Sequence, residues 1–488
     1  MITDELKYQI LQQFGFPPTA EQDHALDVFA RFLTDRDACA VMVLRGSAGT
    51  GKTALSAAIV RTLSLLRQRV LLLAPTGRAA KVFSLGSGHP AYTIHRRIYR
   101  EKAFRGVDGQ FNLGDNLCTD TLFMVDEASM VANAGTGGSF GTGYLLDDLV
   151  HFVYQGRGCR LMLIGDRAQL PPVGEEESPA LSGGVLAGYG LKVYECDLNE
   201  VLRQGSRSGI LWNATAVRSL ITHDDVTRLP LVRFGGFADI VRVPGSELID
   251  SLGDSYHHMG LDDTVVVTRS NKWANVYNQG IRGRVLDREE ALSRGDRIMI
   301  VKNNYYWMEQ ELKKLKEQPG GATEAERLPA FLANGDRARV LRVRDTVSLY
   351  GFHFAELTLQ FPDYDNYELT ATVLLDTLTS EAPALTHEQQ EQLFRKVEED
   401  YRELPLKADR MKAIRQDPYF NALQVKFAYA VTCHKAQGGQ WGHVYVDQGY
   451  MTDDMLTPDY LHWLYTAFTR ATEKLFLVNW PKEQTEHE

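Results

Sequence analysis

Apolar residues in the first 170 positions gather into short runs at 40–44, 70–74, 122–125 and 161–164. Each run is apolar on both alternations, so a strand built from it buries both faces, as strands of parallel sheets do. Residues 54–66, between the first two runs, have the length and pattern of a crossover helix. Strand, helix and strand in that order make a βαβ unit, which predicts a doubly wound α/β sheet. A second set of runs at 240–243, 264–267, 444–446 and 475–478 predicts another α/β domain of the same type.

The second set is interrupted. Residues 302–328 are charged and helix-like, whereas 337–343 and 354–361 alternate like antiparallel strands. A further strand is expected at 367–375, after the turn-rich stretch 362–366. That pattern predicts a small barrel of a few strands, followed by a charged helical segment at 386–412 to which no role attaches. The glycine-rich stretch 132–143 is expected to be a mobile surface loop.

Composition narrows the class without naming a function. The 488 residues are 44% hydrophobic and 24% charged, ordinary values for a globular protein of several domains. No stretch approaches the roughly 20 apolar residues of a membrane span, so no membrane association is expected. The first 15 residues carry Asp4 and Glu5 and lack a long apolar core, unlike a secretory signal. Cys39, Cys118, Cys159, Cys196 and Cys433 are scattered and form no metal-ligand spacing, so reduced thiols and a cytoplasmic location are expected. A net charge of −10 argues against a protein that coats nucleic acid, but it leaves room for a local groove of donors.

Chemistry enters with the segment Gly46-Ser47-Ala48-Gly49-Thr50-Gly51-Lys52-Thr53, which fits the pattern G-x-x-x-x-G-K-[ST] between a strand and a helix. In that setting backbone N–H groups and the helix N-terminus wrap phosphates, Lys52 reaches the β/γ-phosphates of ATP, and Thr53 presents its hydroxyl to Mg²⁺. Asp126 and Glu127 end another apolar run. Asp126 is placed to hold Mg²⁺, and Glu127 to orient or deprotonate an attacking water. Gln169, in Gly165-Asp166-Arg167-Ala168-Gln169, is a candidate sensor of the γ-phosphate. Arg203 and Arg470 are candidate arginine fingers, since phosphoryl transfer needs positive charge where the transition state develops negative charge.

Taken in order, these blocks resemble the RecD-like branch of superfamily 1 helicases, the group that includes Dda. Thr19-Ala20-Glu21-Gln22 resembles the adenine-reading Q motif, with Gln22 as the base contact. Ala74-Pro75-Thr76-Gly77-Arg78-Ala79-Ala80-Lys81 and Thr93-Ile94-His95-Arg96 resemble motifs Ia and Ib, and Leu202-Arg203-Gln204 resembles motif IV. Motif V is matched by Tyr429-Ala430-Val431-Thr432-Cys433-His434-Lys435-Ala436-Gln437-Gly438, and motif VI by Tyr465-Thr466-Ala467-Phe468-Thr469-Arg470-Ala471. The resemblance implies two RecA-like P-loop domains, a small β-hairpin insertion and an SH3-like β-barrel insertion. It sets the first domain (1A) at 1–195 with a hairpin (1B) at 97–117, and the second domain (2A) at 196–300 and 425–488. The barrel (2B) with its helical extension then takes 301–424.

It also implies ATP and Mg²⁺ as ligands and 5′-to-3′ movement on single-stranded DNA with separation of forked duplexes. DNA contacts are expected at Pro75, Thr76 and His95 on one domain and at Thr432, His434 and Lys435 on the other. Phe104 and Phe111 of the hairpin are candidates to stack on the terminal base pair. The family usually has Glu where this chain has Gln440, a neutral amide that can still hydrogen-bond a ribose. The hairpin is short and carries several glycines. An RNA-directed superfamily 1 motor, and an ATP-dependent clamp in a recombination or repair complex, are the rival readings. A monomer is expected, with repair, recombination or single-strand-binding proteins as compatible partners.

Overall fold

The computed structural model describes residues 2–104, 109–135, 140–201, 207–317, 328–329 and 331–486, without side-chain detail at 101–104, 109–110 and 316. Strands β1 (Ala40–Gly46), β2 (Arg69–Ala74), β3 (Ala91–Thr93), β4 (Tyr99–Phe104), β5 (Gly109–Leu113), β6 (Thr121–Val125), β7 (Arg160–Gly165) and β8 (Lys192–Leu198) come from the first part of the chain. Six of them form one parallel sheet in the order β3-β2-β6-β7-β1-β8. The double burial expected of the apolar runs is visible in β1. Val41 and Val43 enter one core, while Ala40, Met42 and Leu44 enter the core on the opposite face. Because β1 lies between β7 and β8, the chain reverses direction across the sheet beside β1, which opens a crevice at its carboxyl end.

Strands β4 and β5 pair as an antiparallel hairpin outside this sheet. The later part of the chain adds β9 (Ile240–Val243), β10 (Thr264–Thr268), β11 (Arg297–Ile300), β12 (Arg337–Leu349), β13 (Phe352–Phe361), β14 (Tyr367–Leu374), β15 (Leu423–Phe427), β16 (Ala430–Thr432), β17 (Trp441–Asp447) and β18 (Ala471–Val478). A second parallel sheet takes the order β16-β10-β17-β18-β9. The fold class expected from the pattern, two parallel α/β sheets with a barrel, is therefore observed.

Strands β11 to β15 close into a barrel. Two of its strands, Arg297–Ile300 and Leu423–Phe427, are not among the alternating runs at 337–375 and complete the closure from either side. Barrel and second sheet share one core, in which Val266 of β10 joins Ile298, Leu357 and Val425 of the barrel. The charged segment expected to follow the barrel instead lies between β14 and β15, and forms the helices His387–Asp400 and Lys407–Gln416, which bury Leu393, Val397 and Ile414 against Phe352 and Phe354. A further helix, Tyr306–Glu317, accounts for part of 302–328, whose residues 318–327 lie outside the described part. Among the described residues, no helix is long and apolar enough to cross a membrane.

Candidate nucleotide cleft and strand-binding surfaces

The loop after β1 takes its shape from glycine. Gly49 and Gly51 sit at φ +76° and +82°, where a side chain would be strained. Gly51 caps the helix Lys52–Leu65 without any side-chain hydrogen bond, which leaves the first N–H groups of the helix directed at the crevice. Lys52 Nζ donates to the carbonyls of Gly46 and, at 2.9 Å, of Ser47. Thr53 is exposed at the mouth of a cleft of about 520 Å³.

Asp126 and Glu127 stand at the end of β6 on the wall of the same cleft. The Asp126 amide donates to Leu73 O at 3.0 Å, and Asp126 Oδ1 accepts the Glu127 amide at 2.9 Å. Glu127 adopts φ +52°, a left-handed backbone that turns the chain sharply away from the sheet. Burial, and next the charge on Glu127, push the Asp126 carboxyl well above the usual carboxylate range, and Lys52 offsets this only in part. A half-buried carboxylate short of positive charge, with the Thr53 hydroxyl on the same cleft, is an oxygen-donor set that fits a hard divalent cation such as Mg²⁺.

Gln169 enters the cleft from the loop after β7. It is buried, and its Oε1 has no hydrogen-bond partner, so an acceptor stands ready for a water or ligand donor. The second sheet supplies the facing wall through Gly438, Gln440 and Arg470. Arg470 is buried and, among the described residues, donates only to neutral oxygens: Thr466 O and Gly439 O at 3.1 Å, and Thr469 Oγ1 at 3.3 Å. Among the described residues no carboxylate lies within ion-pair distance of it, so its charge lines the cleft unpaired. Gln440 is exposed at the rim, and its carbonyl accepts a hydrogen bond from Arg78.

Two residues that spacing did not mark tie the walls together. Tyr465, on the helix Pro458–Phe468, accepts the Ala48 amide at 2.9 Å and donates to Asp166 Oδ2 at 2.6 Å. The phosphate loop, the loop after β7 and the second sheet's helix thus share one hydrogen-bonded chain. Arg218, on the helix Gly209–Thr222, donates to Ser47 Oγ and to Asn199 O. Tyr465 lies inside a matched motif, and an aromatic hydroxyl there was the available signal. Arg218 reads in sequence as an ordinary surface charge, and only tertiary structure brings it to the loop.

The remaining expected site residues lie outside the lining of this cleft. Gln22 is 1% exposed, donates through Nε2 to Thr50 O at 2.9 Å, and accepts the Thr19 amide in a capping box. Its amide is engaged in bracing the phosphate loop from behind, so it does not face the cleft as a base contact would. Arg203 lies outside the described residues, as does the side chain of Phe104. Phe111 is buried, with its ring 4.3 Å from Tyr305 and 5.0 Å from Phe140 between ring centroids, rather than presented for stacking. His95 packs edge-on to Phe140 at 4.9 Å, and burial pulls its imidazole down to about 4. In the glycine-rich stretch expected to be mobile, Phe140 is held by these rings, while residues 136–139 lie outside the described part. Thr76 caps the helix Gly77–Ser87 after Pro75, with Gly438 of the second sheet's loop beside its hydroxyl. Thr432 ends β16, His434 is exposed, and Lys435 donates to Asn334 of the barrel.

A glycine-rich phosphate loop, paired acids at a strand end and an arginine from a second parallel sheet define a P-loop NTPase built from two facing α/β units. Comparison with known proteins narrows this. Residues 19–229 match the family model described as an AAA domain, and residues 427–478 match the UvrD-like helicase C-terminal domain. The ATP-dependent RecD2 DNA helicase of Deinococcus radiodurans is 31% identical over 172 residues, which is 35% of this chain and 21% of that protein. An uncharacterised protein of Methanocaldococcus jannaschii is 32% identical over 169 residues, which is 32% of this chain and 13% of that protein. The chain thus spans only a small part of the length of the curated relatives it matches. Among solved structures, Bacteroides Pif1 helicase in complex with ADP-AlF3 and ssDNA aligns over 97% of this chain and 95% of that one, with a TM-score of 0.45 and 14% identity. Candida albicans Pif1 helicase aligns over 97% of both chains, with a TM-score of 0.39 and 16% identity. Over these regions the chain is similar to an AAA domain, to the UvrD-like helicase C-terminal domain and to a RecD2 DNA helicase.

Proposed function

We propose that this chain is an ATP-driven motor that moves 5′ to 3′ along single-stranded DNA and separates forked duplexes. The observation that carries the reading is the single cleft into which one sheet sends Lys52, Asp126, Glu127 and Gln169 and the other sends Arg470. The likeness to a RecD2 DNA helicase over part of the chain supports DNA as the track, and the order of motifs supports the direction.

In this reading Lys52 and the N–H groups of the helix Lys52–Leu65 hold the phosphates of ATP. Thr53 and Asp126 would hold Mg²⁺, which supplies positive charge at the β- and γ-oxygens when bound. Glu127 orients the attacking water and takes its proton, and Gln169 accepts from the same water. Arg470, joined by Arg203, stabilises charge that develops at the γ-phosphate. Gln440 stands at the rim for the ribose. Closure of the two sheets is felt at the phosphate loop through Tyr465, and it alternates the grips at Pro75, Thr76 and His95 with those at Thr432, His434 and Lys435.

Two measurements test this together. Lys52→Ala should abolish DNA-stimulated ATP turnover, and normal turnover in that variant would remove the phosphate-loop assignment. The unsubstituted chain should open a 5′-tailed duplex and leave a 3′-tailed one closed. DNA-stimulated turnover with neither duplex opened would instead identify a clamp, and equal stimulation by RNA would remove the preference for DNA.

A further inference from the structure

The loop that carries Gln169 leaves the first sheet after β7, yet the second sheet's side of the molecule holds its backbone. Ala168 and Leu170 are buried in the core of the second sheet, beside Leu461, Leu464 and Tyr465. The polar groups of the same stretch are bonded to the same side. The Leu170 amide donates to Thr466 Oγ1 at 2.8 Å, and Leu170 O accepts Gln437 Nε2 at 2.7 Å. His462 Nδ1 lies 3.0 Å from Ala168 O and 3.1 Å from Gln169 O. A carbonyl oxygen only accepts, so Nδ1 carries the ring proton and shares it between these two oxygens.

His462, Tyr465 and Thr466 are spaced so that they share one face of the helix Pro458–Phe468. Tyr465 and Thr466 lie inside the last matched motif, but His462 lies before it. His462 is also absent from the lining of the nucleotide cleft. It lines a separate cavity of about 710 Å³, together with Asp166, Ala168 and Pro171. Its imidazole therefore reaches the nucleotide site only through the backbone it holds. That backbone matters because Gln169 Oε1 is buried in the cleft wall without a partner among the described residues. With that oxygen unbonded, the side chain takes its direction from the peptide groups on either side of it. The carbonyls of those groups, Ala168 O and Gln169 O, are the two that His462 holds.

We infer that His462 is a positioning residue for the γ-phosphate sensor, fixing through its Nδ1–H the peptide groups that flank Gln169. The inference rests on the role given to Gln169 under the motor reading, and it adds a residue that no motif marks. Positioning of this kind is worth much in rate, since a misplacement of about 1 Å caused outside the reacting groups can cost about 10²-fold.

The test is steady-state ATP turnover by the full chain with saturating oligothymidylate, in a double-mutant cycle with Gln169→Ala. His462→Ala should lower kcat by about 10-fold or more with little change in KM, because the loop after β1 still holds the phosphates. In the Gln169→Ala background it should lower kcat no further. Asn carries a donor nitrogen on its γ-carbon, as His does, whereas Gln carries it one carbon further out. His462→Asn should therefore restore most of kcat, and His462→Gln should not. Losses that multiply in the double variant show His462 acting by another route and overturn the inference. So does a lowered melting temperature with kcat per folded molecule unchanged, which makes the histidine a structural strut. Reduced turnover in Gln169→Ala with normal turnover in His462→Ala overturns this inference alone. Normal turnover in Gln169→Ala removes the sensor role and this inference with it, and a native chain without ATP turnover overturns the motor reading itself.

Discussion

At Asp126, burial and a like-charged neighbour act in the same direction, and the sign of the effect on stability follows. The folded state binds a proton near pH 4 to 7 that the unfolded chain, with an ordinary aspartate near 3.9, has already released. Stability is therefore lost as pH rises from about 4 through the raised folded value, and is level above it. Asp126→Asn removes that penalty while keeping an acceptor for the Glu127 amide. It should melt higher than the native chain at pH 8, by a margin that shrinks toward pH 4, and should lose ATP turnover. A melting curve that does not depend on this substitution at pH 8 would refute the account. Gln169 makes a second case, because it lines the cleft with a buried Oε1 that has no partner among the described residues. Gln169→Ala should cut kcat for ATP by about 10²-fold with little change in KM, as expected for an interaction made only in the transition state. A rise in KM at constant kcat would instead assign it to ground-state binding. Lys52, Asp126 and Glu127 were legible in the sequence because their chemistry needs only local spacing. Gln22 and Tyr465 were not, because what they do depends on which backbone lies opposite them, Thr50 in one case and Ala48 in the other.

Among the elements, the strands read most easily were those buried on both faces. Residues 40–44 and 121–125 are buried throughout, and continuous apolar runs announce that. Strand β8 went unread because it pairs on one side only, and its exposed residues alternate with buried Cys196 and Leu198. Strands β3 and β16 span three residues each, too few to show a period. The barrel's closing strands β11 and β15 are separated by more than a hundred residues of chain, so no local pattern pairs them. The hairpin shows the same limit in its side chains, since Phe111 carries no mark of the rings that cover it. Tyr305 and Phe140 hold it in place, and Phe331 completes the cluster 4.8 Å from Tyr305. Phe111→Ala should remove roughly 3 kcal/mol or more of local packing. Amide hydrogen exchange should then speed up in β4 and β5 while β1, β6 and β7 stay protected. Uniform destabilisation of the first sheet would show that the hairpin is not a separate cooperative unit.

For the whole molecule, the decisive contact is where the first sheet's helix, the second sheet and the barrel meet on one ring. Trp441 opens β17 one residue after Gln440 of the cleft, and it is 3% exposed. Arg78, from the helix Gly77–Ser87, lies 4.3 Å over the ring, and Arg337, at the start of β12, lies 5.4 Å from it. Neither guanidinium reaches a carboxylate within ion-pair distance among the described residues. Arg78 Nε, Arg337 Nη2 and Trp441 Nε1 are all buried without partners. Cation–π attraction of about 0.5–2 kcal/mol per contact is set against three unsatisfied donors at about 1–3 kcal/mol each. Such a joint separates readily, because opening hydrates all three donors. Arg337 comes from the barrel and Trp441 from the second sheet, which share one core, whereas Arg78 comes from a helix of the first sheet. Burial first, and then the nearby Arg78, pull the Arg337 guanidinium down to about 10, so its charge works against the closed arrangement. Arg337→Met keeps the volume and removes that repulsion, which should favour closure without lowering the melting temperature. Basal ATP turnover should then rise, and its stimulation by single-stranded DNA should fall several-fold, because closure no longer waits for the strand. An unchanged ratio of stimulated to basal turnover would show that this ring plays no part in linking the cleft to the track.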